Sequence, residues 1–151
     1  MNSKNEIKLY NILFPIWLLI LLPTAWIAVL PVNFIVDSLV LIIAAKKIGI
    51  FERGTYKKHI LKVWIFGFLA DMIGAGAILG AMSLFELNIQ GDEPILTVPA
   101  LLISAILIYV FNYRFSFSDL EKADRIKMAF YFAIFTAPYT FLIPLSWIYG
   151  F

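Results

Sequence analysis

The fold class this chain predicts is an all-α integral membrane protein, a small helical bundle of four to five transmembrane segments. Three observations predict it. Residues 9–45 form a run of thirty-seven residues that carries one charge, Asp37. The 151-residue chain is 62% hydrophobic and 15% charged, where soluble domains sit nearer 45–50% and about 25%. The twelve basic residues fall in short clusters between apolar runs instead of spreading over the chain. Mean hydropathy is +0.91. One domain over residues 1–151 is the expectation at this length.

The run 9–45 organises the rest. A span needs about 20 apolar residues, and thirty-seven in one straight helix would measure about 55 Å. The run is therefore read as a hairpin or sharply bent pair of helices, with the break at Pro31, giving segments at about 10–29 and 31–45. Its length far exceeds the 7–15 residues of a signal-peptide core, so it is expected to be retained. Lys46 and Lys47 close it.

Residues 46–62 are basic and polar, and a helix is expected to begin near residue 55 and run into a third segment, 63–85. That segment holds Asp71 and is rich in small residues: Gly67, Gly74, Gly76 and Gly80. The spacing Gly76-x-x-x-Gly80 lets membrane helices approach closely. It is read first as packing within the chain and second as a face between copies. An acidic loop (86–94) leads to a fourth segment, 95–113, closed by Arg114. Ser118-x-x-Glu121 has the form of a capping box, and Glu121 and Arg125 stand at i, i+4. A helix is thus expected from 118 or 119 into a fifth segment, 127–149, bent at Pro138 and Pro144.

Charge placement orients these segments, since short basic loops stay cytoplasmic. With the N-terminus inside and the C-terminus outside, all twelve basic residues lie on one side of a bacterial-type plasma (inner) membrane. No cysteine and one histidine, His59, exclude disulfides, thiolate chemistry and a histidine-built metal centre. His59 reads as a solvated loop residue, and Asn112-Tyr113-Arg114 as an interfacial anchor. No nucleophile elbow, phosphate loop, zinc pattern or haem ligand pair is present, so neither an enzyme nor a cofactor is expected. The sparse basic residues do not form a nucleic-acid face.

An ionisable group inside a span costs about 2.5–3.5 kcal/mol even on the lenient insertion scale, and so marks a functional candidate. There are two, Asp37 and Asp71. Each lies eight residues from the cytoplasmic end of its segment, about 12 Å deep. Asn33 is one helical turn from Asp37, and Ser104 and Thr136 fall at similar depth. These five residues are the expected ion- or proton-binding layer, because oxygen groups suit hard cations and protons; the identity of any metal is left open. The competing reading is ordinary helix–helix hydrogen bonding. Two functions follow. One is a small transporter or channel for a cation or proton, working as a homo-oligomer in the lipid bilayer. The other is a non-transporting accessory, regulatory or immunity-type subunit, whose aspartates meet a basic residue of a larger membrane protein partner.

Overall fold

A computed structural model describes residues 23–24, 26–85 and 94–143. Expectations for residues 10–22, for the acidic loop over 86–93 and for 144–149 lie outside the described residues. Among the described residues all regular structure is helical: α1 (Trp26–Ile48), α2 (Arg53–Leu84), α3 (Pro94–Phe111) and α4 (Lys122–Phe135). A π-helical turn (Asn112–Ser116) extends α3, and a 3-10 turn (Tyr139–Leu142) follows α4. Three helices, Trp26–Ile48, Arg53–Leu84 and Pro94–Ser116, are long and apolar enough to cross a membrane.

The helices pack in a square. α1 and α3 sit on opposite corners, each against both α2 and α4. Short connections make sequence neighbours antiparallel. At one end Gly49, with φ of 87°, turns the chain out of α1, a left-handed conformation that glycine adopts without a Cβ penalty. The core at this end includes Leu41, Ala45, Val63, Ile108, Phe117, Met128 and Phe132. A second cluster, Ala75, Ile78, Leu96, Ala100 and Phe141, fills the other end. Outward positions such as Ile35, Leu39, Ile43, Ile65, Leu102 and Ile106 are exposed, and so large an apolar belt is rare on soluble monomers.

Four local expectations are corrected. The first break does not fall at Pro31. Pro31 lies inside α1, which starts at Trp26, so residues expected on both sides of the break share one helix. Pro99 occupies the same place in α3, five residues after its first residue. One turn into a helix a proline costs a single backbone hydrogen bond, and the membrane-type helix keeps going. Beside Pro31, the Trp64 indole donates to the Leu30 carbonyl at 3.0 Å, tying α1 to α2.

The capping box does not form. α4 begins at Lys122 with Glu121 before it and no side-chain cap, while Ser118 donates to the Phe115 carbonyl at 3.4 Å within the preceding turn. Arg125 does not pair with Glu121. It donates to the Ser118 carbonyl and lies over the Tyr113 ring, 5.2 Å from the centroid. The box lost to a π-helical turn that carries α3 one turn further than expected, leaving residues 117–121 to make the corner.

The fifth segment is not one helix bent at Pro138. α4 stops at Phe135, and Thr136 closes it. The Thr136 hydroxyl folds back to the Phe132 carbonyl at 2.8 Å. Pro138 has no N–H to give the Ile134 carbonyl, and the Tyr139 hydroxyl donates there instead. Finally, among the described residues a Cβ on Gly76 or Gly80 would meet nothing within 4 Å. Close packing uses Gly67 and Gly74 instead, both buried.

Candidate functional site

The site starts from the buried stripe of α2: His59, Ile60, Val63, Gly67, Ala70, Asp71, Gly74, Ala75 and Ile78. Spacings of three and four keep these residues on one face, and Gly67, Ala70, Gly74 and Ala75 are small, so α1 and α3 approach closely. At Gly74 the approach is tightest. A Cβ there would stand 1.9 Å from the Ser104 hydroxyl, 3.1 Å from the Ala100 carbonyl and 3.2 Å from the Phe141 ring. At Gly67 the missing side chain makes room for the Asp37 carboxylate of α1, whose oxygen lies 3.6 Å from where a Cβ would be.

Asp37 and Asp71 therefore meet between α1 and α2. Both are buried, 5% and 7% exposed. They line one small cavity of about 20 Å³ with Asn33, Val36, Gly67, Phe68 and Thr136. Room for one water begins at about 10–15 Å³, so the cavity has the size of a single water or a small cation. Of the five polar residues expected in one layer, Asn33, Asp37, Asp71 and Thr136 are brought together here. Ser104 is not: it faces α2 from α3 and donates to the Ala70 carbonyl at 3.2 Å.

The chemistry of this cavity is that of unmet acceptors. Asp71 Oδ1 is buried with no hydrogen-bond partner among the described residues. The ion pairs among the described residues lie elsewhere, at Lys58, His59, Asp119, Asp124 and Lys127. A buried carboxylate without a donor is costly, and a bound cation or proton removes that cost. α4 ends at the same place, with Thr136 on the cavity wall, and the carbonyl end of a helix carries partial negative charge that favours a cation. Among the described residues no group of three or more His, Cys, Asp or Glu side chains could hold a metal ion.

Beside this cavity, sharing Asn33, Val36, Asp71 and Thr136 with it, is a larger one of about 460 Å³ between the start of α1 and the chain that follows α4.

Sequence reasoning missed a second polar cluster. His59 is not a solvated loop residue but 1% exposed. Its Nδ1 lies 2.7 Å from the Thr55 carbonyl and its Nε2 lies 2.9 Å from Asp119 Oδ1. The carbonyl can only accept, so Nδ1–H donates to it. Lys58 Nζ reaches the other Asp119 oxygen at 2.8 Å. Partial burial pushes the Asp119 carboxyl up, but the Lys58 and His59 hydrogen bonds outweigh it and hold the group below its usual range. This cluster joins α2 to the connection between α3 and α4, so the basic ends of all four helices lie together. Asn112, expected as an interfacial anchor, is also fully buried. Its amide donates to the Ile108 carbonyl at 2.9 Å, and its Oδ1 has no partner among the described residues.

No protein-family model matches this chain, and neither a curated protein nor a solved structure is similar to it. The site must be read from its own chemistry.

Proposed function

We propose that the protein is a small membrane transporter or channel in which Asp37 and Asp71 bind a cation or a proton and support its movement across the bilayer. One observation carries this reading: two buried carboxylates from facing helices line one cavity, and the buried Asp71 Oδ1 has no partner among the described residues. Asparagine would supply similar hydrogen bonding at lower cost in hydrocarbon, so the retained charge is what a purely structural role leaves without explanation. The irregular backbone over 136–138 at the cavity fits the rule that non-helical chain at membrane depth lines a cavity or lies buried in protein.

The orientation follows from charge. The basic ends of α1, α2 and α4 and Arg114 face the cytoplasm. In this orientation the N-terminus, with Lys4 and Lys8, is cytoplasmic and the C-terminus is outside. The membrane is a bacterial-type plasma membrane, and the working form is an oligomer.

The test is flux in proteoliposomes under imposed proton, sodium and potassium gradients. Wild type carries at least one of these. Asp37→Asn and Asp71→Asn abolish that flux while expression and detergent particle size stay unchanged. Flux that survives both substitutions, or none with wild type under any gradient, refutes the reading. In the latter case a stoichiometric basic partner on purification from native membrane would point to the accessory role.

A further inference from the structure

The larger cavity has a size and a lining of its own. It is a cleft open at the side: Val32 in its wall is 58% exposed and Tyr139 is 50% exposed. Val29 and Val32 of α1 form one wall, and Phe135, Tyr139 and Phe141 form the other. Asp71 sits where the cleft meets the small cavity, because it lines both. At about 460 Å³ the cleft falls within the roughly 300–1,000 Å³ usual for sites of drug-sized ligands. It is far larger than a proton or an inorganic ion needs.

We propose that this cleft binds a monovalent organic cation with an apolar body, an amphiphilic ammonium or phosphonium, entering sideways from the bilayer. Three features of the wall match that class. Asp71, with its unpartnered buried oxygen, offers at the inner end a carboxyl group that a cation can pair with in place of a proton. Phe135, Tyr139 and Phe141 supply aromatic surface, whose faces attract cations. Val29 and Val32 supply apolar contact for the body. An anion meets Asp71 with like charge, and a neutral apolar molecule leaves it without a partner. The inference rests on the reading of Asp71 as a charge site and adds the class of cargo.

The small cavity explains how such a ligand couples to a proton or small ion. Asp71 is common to both cavities, whereas Asp37 lines the small one alone. A cation held in the cleft and a proton or ion held beside Asp37 compete for the same carboxylate. Occupancy of one weakens the other, which is the condition for exchange.

The experiment uses tetraphenylphosphonium, whose charge is fixed at every pH, and triphenylmethanol as a neutral comparison. Binding is measured by calorimetry on the full chain in mild detergent. Wild type binds tetraphenylphosphonium saturably and binds triphenylmethanol at least tenfold more weakly. Asp71→Asn loses at least tenfold in affinity for the phosphonium, and Asp37→Asn loses less. Val32→Trp, which fills the cleft, abolishes binding; Val29→Trp provides the same block should the first variant not fold. Wild type that carries proton or inorganic-cation flux yet binds no phosphonium overturns this inference and leaves the proposed function standing. Equal binding of the neutral compound, or binding indifferent to Asp71→Asn, overturns it as well. Phosphonium binding with no flux of any kind upholds the cleft and refutes transport.

Discussion

Removing Asp119 tests whether the His59 cluster holds the basic end of the bundle together. The His59 ring is 1% exposed, and in Asp119→Ala its Nε2 loses the carboxylate 2.9 Å away. A hydrogen bond to a charged group contributes about 1.5–3 kcal/mol. The Asp119 side chain is 31% exposed, so water reaches part of the vacated site, and we place the loss at about 2 kcal/mol. Lys58 is 57% exposed, and a pair with one arm in solvent is worth about 0–1 kcal/mol. Lys58→Ala therefore costs about 0.5 kcal/mol although its contact with Asp119, at 2.8 Å, is as short as that of His59.

Thermal unfolding in mild detergent, followed through the four tryptophans, separates these values. At about 2–4 °C per kcal/mol for a chain of this size, Asp119→Ala melts about 4–8 °C below wild type and Lys58→Ala about 1–2 °C below. The pH dependence has a definite sign. The Asp119 carboxyl is held low in the folded protein, so its contribution is complete above the unfolded value of about 3.9 and is lost as pH falls through the lower folded value. The gap between wild type and Asp119→Ala is constant from neutral pH down to about 5 and narrows below about 4. Equal losses in the two variants, no loss in Asp119→Ala, or a gap that widens on acidification would refute this reasoning.

Two further predictions concern the glycines of α2. Gly74→Ala places a Cβ 1.9 Å from the Ser104 hydroxyl and 3.1 Å from a backbone carbonyl; overpacking of this kind costs about 1–3 kcal/mol, and the melting point falls several degrees. Gly67→Ala meets only an ordinary contact at 3.6 Å and stays within about 1 kcal/mol of wild type; losses in the same melts that are equal at the two positions would show the packing described at Gly74 to be absent. Gly76→Leu and Gly80→Leu point into open space and leave the melt of the chain unchanged, but they shift the detergent particle to smaller size if that face joins copies. An unchanged size in mild detergent and in lipid shows the face is not an interface.

The sequence made the apolar helices of spanning length and the meeting of Asn33, Asp37, Asp71 and Thr136 legible because both rest on cost. A charge in an apolar run is conspicuous, so Asp37 and Asp71 were found directly, Asn33 followed from one helical turn, and Thr136 from depth. Depth does not say which way a side chain turns, and for that reason Ser104 was grouped with them although it faces the Ala70 carbonyl. His59 sat in a basic stretch and read as solvated. Extending the small-residue stripe of α2 backwards from Asp71 through Gly67, Val63 and Ile60 reaches it, and that periodicity was the available signal. Its partner Asp119, sixty residues away in sequence, left no local trace. Pro31 misled because a proline at a helix boundary and one tolerated a turn inside a helix carry the same letter.

The end of α4 at Phe135 joins the fold to the site. A helix continuing through residues 136–149 would have lined the fourth corner of the square with side chains along its whole height. Instead the Thr136 hydroxyl turns back onto Phe132, Pro138 withholds a donor, and the chain leaves as a 3-10 turn whose Phe141 packs into the cluster beside Ala75 and Ala100. Among the described residues no helix fills the corner beside α1 next to Asp71, which is where the larger cleft lies. Unpaired backbone is costly in hydrocarbon and persists only against protein or a polar cavity, and the Thr136 and Tyr139 hydroxyls meet part of that demand from the chain itself. The same three residues, Thr136, Ala137 and Pro138, therefore end the helix, open the cleft and bring its carbonyl end toward the carboxylates. A sequence pattern that breaks a helix beside buried charge on a neighbouring helix is better read as the mark of a site than as a bend in a span.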